Sequence, residues 1–473
     1  MVRVVAVKNR RKHRKKGKIS PKLIIMAGIF LVLLVCFFWE AFKEGNIFQK
    51  SNFFREIHKE KEEKSIFQRK KREEEKIRVL ITNSNMSSIF HNVVQITGSE
   101  EFSVKRNGKK EVYSPGEIIE FTKEEIDKNS EKVLFACPKG KIKILSVLRR
   151  QEIPAYRGII EIKKESQGLL VINELKLREY LYGVVPGEMS ASYPMEALKA
   201  QAVCARSFAW NQKKANRYKE YDAHVDDTTA FQVYNMAGED KRTQKAVDDT
   251  AGELLYHGKK VMTTYYYSTS WGSSATTKEV WGGDANVCYP AKLQITKSSQ
   301  KKTGIKGLNF SEEKIFREFI TNEICNTYDE ESNWYRWRTE LPAKQLGLKL
   351  GIGTIKKIQI LERGKSGLLQ KIRITGSKGS EVIEGQQSIR EKLLLSDTVI
   401  ETKDGNRQSL SLLPSAAFFV QDSVSNGEVQ FRLIGGGFGH GVGMSQNGAA
   451  AMAKEGFSYQ DILSHYYQEC QIK

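Results

Sequence analysis

In the stretch VVPGEMSASYPMEALKAQAVCARSFAW (Val184–Trp210) the carboxylate Glu188 stands between a Pro-Gly pair and the start of an alanine-rich segment that carries almost no charge. Such an acid is either a cap or loop ion-pair member, or a group mounted for proton transfer to a sugar bond. Its neighbours Val184, Val185, Pro186 and Met189 are apolar and disfavour the anion, which raises a carboxyl pKa. A helix N-terminus or an arginine nearby would lower it. The sequence leaves that balance open. If desolvation prevails, Glu188 is protonated near neutral pH and able to serve as a general acid. Arg206 is the charged group deepest in the alanine-rich segment. On an apolar helix it must find a carboxylate, a backbone carbonyl or a cleft, because an unpaired buried charge costs several kcal/mol.

Two further segments hold polar groups of interest. In GGGFGHGVGMSQNG (Gly435–Gly448), Gly439, Gly441 and Gly443 lack the spacing and following acid of a dinucleotide loop, and Gly448 lies one residue too far for a nucleophile elbow at Ser445. The glycines are expected to let the backbone pass close to a cleft, with Ser445 capping the helix that follows and Gln446 beside it. His440 is either a core histidine bonded to backbone or a cleft residue that touches sugar. Ser268, Ser270 and Trp271, with Trp281 downstream, supply hydroxyls and aromatic faces suited to a glycan groove; the alternative is a buried tryptophan pair.

The elements that must position these groups follow from periodicity. Pro194 is tolerated only in the first helical turn, so a helix is predicted from Tyr193 or Pro194, capped by Ser190 or Ser192. Its segment ALKAQAVCA (Ala197–Ala205) is apolar nearly all round, the profile of a buried central helix. Short alternating runs from Ile77 onward (IRVLIT, EFSVKR, KVLFAC, KIKILSV, GIIEIKK) predict a β-rich module over residues 77–165. Residues 166–473 are predicted to form a mixed α+β domain containing a second β-rich block, 352–433. Ser458 to Asp461 has the pattern of a capping box for the last helix. No repeat period stands out, which excludes solenoids and propellers.

The formal net charge of +20 suggests nucleic acid until it is mapped, for residues 1–22 carry ten Lys or Arg and no acid. Leu23–Trp39 follows as seventeen uncharged residues, the short end of a membrane span. The expected organisation is a cytoplasmic basic tail (1–22) suited to anionic lipid, an uncleaved transmembrane anchor (23–42) and a charged helical stalk (43–76). The remainder lies outside the cell membrane, and no nucleic-acid partner is expected. The six cysteines include no CxxC pair, which excludes a zinc ribbon and a disulfide framework; a single bridge such as Cys288 to Cys325 is conceivable.

Four blocks carry a family resemblance: LREYLYGVVPGEMSASYPMEALKAQAVCARSFAW, DDTTAFQVY (Asp226–Tyr234), YYSTSWGSSATTKEVWGG (Tyr266–Gly283) and GGGFGHGVGMSQNGAAAMAKEGFSYQDILSHYY (Gly435–Tyr467). In this order, over about residues 170–470, they resemble the stage II sporulation protein D family, which includes amidase-enhancer proteins. The resemblance implies a membrane-anchored lytic transglycosylase that cleaves peptidoglycan glycan strands during forespore engulfment, alongside a cell-wall amidase and membrane engulfment proteins. It implies Glu188 as the catalytic acid and Arg206 as its orienting or substrate-holding partner. His440, Ser445, Gln446, Ser268, Ser270 and Trp281 are the expected substrate-binding residues. Zinc-containing members carry cysteine and histidine ligands around the Asp-Thr-Thr element; here Asp226, Ala230 and Phe231 stand there with only His224 near, so no metal and no cofactor is expected. Tyr289 and Lys292 are the weaker matches to a Tyr and Lys of the family. The rival readings are a non-enzymatic glycan-binding enhancer of an amidase, and a hydrolytic muramidase with Asp226 or Asp227 as second carboxylate.

Overall fold

Alanine at 197, 200, 202 and 205 makes Met195–Ala215 a thin helix, and both of its sides are buried. Ala197, Leu198, Ala200, Val203 and Cys204 enter one hydrophobic core, while Ala202, Ala205 and Ala209 enter a second. Small side chains let elements close in from both sides, so the helix is the shared spine of two cores. A computed structural model describes residues 59, 63, 66–124, 132–299, 309–322, 326–425 and 428–473. Met1–Phe67 and Gln68–Lys473 are separate compact units, and the sheets, the central helix and both cores belong to the second.

An eight-stranded sheet runs in the order Val225–Asp226, Lys76–Leu80, Gly168–Lys176, Ile159–Glu165, Val133–Ala136, Phe102–Arg106, Lys109–Tyr113, with Phe90–His91 paired to Gly168–Lys176. It draws strands from either side of residue 165. Gly168–Lys176 is buried along most of its length, as a strand covered on both faces must be. It runs directly into the helix Leu177–Glu188, so the largest sheet and one rigid helix of twelve residues set the position of Glu188.

A five-stranded sheet, in the order Arg407–Ser409, Val399–Thr402, Trp337–Pro342, Glu428–Gly435, Phe418–Ser425, delivers the glycine-rich loop from the end of Glu428–Gly435. Beside it in sequence, Ile355–Arg363, Leu369–Gly376 and Ser380–Glu384 form a three-stranded meander. Two residues of parallel pairing, Tyr266 with Met444 and Tyr267 with Ser445, then join the Tyr266–Gly283 block to the glycine-rich block. Gly443 makes that approach possible: its φ is +78°, and a Cβ there would meet the Tyr265 carbonyl oxygen at 2.0 Å.

Several expectations need correction. The mixed α+β class holds, but among the described residues no helix is long and apolar enough to cross a membrane, against the expected transmembrane helix and single-pass location. Residues 23–42, on which that expectation fell, lie outside the described residues, as does Cys325. Cys288 instead has its thiol within hydrogen-bonding reach of Cys470. Pro194 is itself the N-cap of the central helix, its carbonyl accepting from Ala197 and Leu198, while the Ser190 and Ser192 hydroxyls bond one another and cap nothing. Residues 68–73, the end of the expected stalk, are helical and pack onto this unit: Arg69 pairs with Glu253 at 2.9 Å, and Arg72 donates to the Gly252 carbonyl at 2.9 Å.

Candidate active site

Pro186 and Gly187 lie within the last turn of Leu177–Glu188, and Glu188 is its final residue. The acid therefore sits at the negative end of a helix rather than ahead of a positive one, which disfavours its anion. Burial pushes its pKa above the ordinary glutamate value, and this outweighs three donors that favour the charged form: the Val233 backbone N–H at 3.0 Å, the Tyr266 hydroxyl and the Gln446 side-chain amide. The Gln232 amide donates to the Tyr266 hydroxyl at 3.1 Å and so orients it toward the acid. Desolvation wins the balance that the sequence left open.

Glu188 opens into a cleft of about 660 Å³, and among the described residues lining it, Glu188 is the one carboxylate. Its walls are aromatic, with Phe208, Tyr265, Tyr267, Trp281 and Phe438 all contributing. Trp281 is 52% exposed, and its ring lies 4.5 Å from that of Tyr265 and 5.3 Å from that of His440. An exposed tryptophan braced by a tyrosine offers a flat apolar face of the kind a sugar ring covers. The His440 Nδ1 accepts from the Val442 N–H at 3.1 Å, and the ring also bonds the Tyr266 backbone. Burial is the main force that lowers its pKa to about 4, with the Arg390 charge adding to it, so the imidazole is neutral and held by backbone while it lines the cleft. His440 is thus bonded to backbone as a core histidine would be, and it lines the cleft.

Of the residues expected at the site, Glu188, His440, Gln446, Ser268 and Trp281 line this one cleft. The others sit elsewhere. Arg206 has no contact with Glu188: fully buried, it pairs through Nε with Glu73 at 2.9 Å and donates to the Val247 carbonyl at 2.9 Å. Ser270 is buried and its hydroxyl accepts from the Gly272 N–H, while Trp271 is core, its indole donating to the Ser366 carbonyl. Ser445 caps Gln446–Lys454 by accepting from the Gly448 N–H, and its hydroxyl donates to Asp329.

Neither rival carboxylate reaches the cleft. Asp227 is buried in an ion pair with Arg149 at 2.5 Å, and Asp226 is held by Thr228 and the Tyr218 hydroxyl. Tyr289 donates to the Thr263 carbonyl from the core, and Lys292 lies against His465. The donor set for zinc does not fit either: Asp226 is already bonded, Ala230 and Phe231 offer nothing, and the His224 Nδ1 accepts from the Arg78 backbone. Among the described residues no group of three His, Cys, Asp or Glu is placed to hold a metal ion. Sequence reasoning missed Tyr265, Phe208, Val233 and Arg217 as lining residues. Tyr265 precedes a quoted block by one position and Phe208 and Val233 lie within quoted blocks, whereas Arg217 reveals itself only once the chain is folded.

Comparison with known proteins follows the same segments. Residues 165–257 match the family described as "Stage II sporulation protein", and residues 275–443 match a domain of unknown function. The chain is 30% identical over 316 residues to stage II sporulation protein D of Bacillus amyloliquefaciens, covering 64% of this chain and 75% of that one. It is 31% identical over 325 residues to an uncharacterized protein of Brachyspira hyodysenteriae, covering 67% and 72% of the two chains. With the amidase enhancer of Bacillus subtilis it shares 30% identity over 299 residues, 61% of this chain but 39% of that protein.

Proposed function

This chain belongs to the stage II sporulation protein D family, a sporulation family linked to cell-wall degradation, and on that premise we propose that it is a lytic transglycosylase acting on peptidoglycan glycan strands. Glu188 is the proton donor. In its neutral form it protonates the glycosidic oxygen that leaves; as the carboxylate it then accepts the proton of the muramyl C6 hydroxyl while that oxygen closes a 1,6-anhydro ring. Bond breaking and ring closure use one proton shuttled through one group. Trp281 and Tyr265 carry the apolar face of a sugar, while Ser268 and the Gln446 amide offer hydrogen bonds to its rim. Arg206 takes no part in this chemistry and holds the central helix in place.

The observation that supports this reading most is that Glu188 is the one carboxylate among the described residues that line the cleft. A water-using glycosidase ordinarily needs two carboxyl groups flanking the bond, about 5–10 Å apart depending on the stereochemical outcome. With Asp226 and Asp227 engaged elsewhere, the muramidase reading has no second carboxylate among the described residues of the cleft. The relative named amidase enhancer favours a second reading, in which the cleft binds glycan for a cell-wall amidase without cutting it. The test is a digest of purified glycan strands by the protein and by Glu188→Gln. Cleavage is expected from the first and a loss of at least about a hundredfold from the second, in line with removal of a general acid. Strands left intact by the unaltered protein would transfer the case to the enhancer reading.

A further inference from the structure

Trp281, the exposed tryptophan of the cleft wall, is the last residue of the helix Thr277–Trp281, and residues 282–287 after it are all exposed. The first buried residue beyond them is Cys288, so the far end of this loop is fixed at that point. Tyr289, next in the chain, lies under the same wall, its ring 5.7 Å from that of Tyr265. The Cys288 carbonyl accepts from the Gln468 N–H at 3.2 Å. Glu469 then takes a left-handed conformation with φ of 54°, which reverses the chain and brings the Cys470 thiol within hydrogen-bonding reach of the Cys288 thiol. From there Gln471–Ile472 pairs with Leu255–His257. The loop that carries Trp281 and the last strand thus meet at two sulfurs. Cys137 and Cys204 are placed differently: the first bonds the Glu100 carbonyl and the second lies against the Tyr467 hydroxyl.

We propose that Cys288 and Cys470 are a redox modification site, whose disulfide fastens the loop carrying Trp281 to the last strand. The oxidant is a small-molecule or protein disulfide. Cys470 is half-buried whereas Cys288 is enclosed, so the Cys470 sulfur is the one an oxidant meets. As the thiolate it attacks one sulfur of the oxidant and expels the other as a thiolate; the Cys288 thiolate then attacks the Cys470 sulfur of the mixed disulfide and expels the second. The protein loses two protons and two electrons, and the oxidant takes them up as two thiols. Burial pushes both protein thiols above the ordinary cysteine value, Cys470 to about 12, so neither is held as the thiolate that would stabilise the reduced pair. The bridge closes a loop of about 180 residues, which restricts the unfolded chain far more than the folded one. This assignment does not depend on what the cleft binds.

The test equilibrates the full chain with oxidised or with reduced glutathione, alkylates it and maps its peptides by mass spectrometry. The oxidised sample should hold a peptide pair joined through Cys288 and Cys470, lighter by two hydrogens than its two parts, while Cys137 and Cys204 stay alkylatable once unfolded. The oxidised chain should melt roughly 5 °C above the reduced one, as closure of a long loop in a protein of this size would give. Amide hydrogen exchange over residues 282–287 should slow with it. Both shifts should vanish in Cys470→Ser, whose half-buried position keeps the test available if Cys288→Ser fails to fold. Cys288 and Cys470 both alkylatable after oxidation, or a bridge from Cys288 to Cys325 instead, overturns the assignment. A bridge between Cys288 and Cys470 that leaves melting and exchange unchanged overturns the fastening.

Discussion

At the level of single residues, the chemistry turns on how Glu188 keeps its proton. Burial and its place at a helix C-terminus favour the neutral acid, while the Val233 N–H, the Tyr266 hydroxyl and the Gln446 amide favour the anion. Because the net shift is upward, kcat/KM for strand cleavage should hold at acid pH and fall only as pH rises through a value above the usual glutamate range of about 4.3. Tyr266→Phe removes one donor to the anion, so it should move that fall to still higher pH, which a pH–rate profile of the two proteins measures. A fall that moves to lower pH would contradict the assigned balance. The apolar neighbours of Glu188 were legible in the sequence, but the sign was not. Pro186 and Gly187 read as a break between elements, whereas both are accommodated in the last turn of one helix, and that reverses the end of the dipole the acid feels.

Among the helices and strands, two buried ionisable groups fasten the frame that holds the site. Arg206 on the central helix takes Glu73 from the segment before the first strand, and Glu73 also accepts from the Gly252 N–H at 2.6 Å. Removing the arginine strands that acid in the core, so Arg206→Ala should cost about 3–5 kcal/mol of stability, measured by denaturant unfolding. The sequence showed that Arg206 must be satisfied. It could not show by what, because its partner lies in a charge-dense run that reads as solvated stalk.

Asp329 is the second fastening: its carboxylate accepts from the Ser270 N–H at 2.9 Å and from the Ser445 hydroxyl, joining the two blocks that pair beside the cleft. Burial raises its pKa to about 7. The folded value therefore lies above the ordinary carboxyl value near 3.9, so the stabilising protonated form is complete below about pH 4 and is lost as pH rises through about 7. Thermal midpoints taken across that interval should fall with pH, and Asp329→Asn should flatten the decline. An unchanged slope would remove Asp329 as its source.

Across the second unit as a body, two cores share one alanine-rich spine, and around it three loops from distant parts of the chain converge on one acid. The spine was legible because its composition leaves no polar face to expose. The convergence was legible only as a set of blocks, since nothing local in Ser270, Ser445 or Trp271 distinguishes a side chain that lines the cleft from one that holds the loops together. A cleft with one carboxylate, on the proposed chemistry, cuts glycan strands without using water. Mass spectrometry of the new chain ends in a digest by the full chain tests this most directly. The expected products carry 1,6-anhydromuramyl ends, each lighter by one water than a hydrolysed end, and reducing muramyl ends would contradict the proposal.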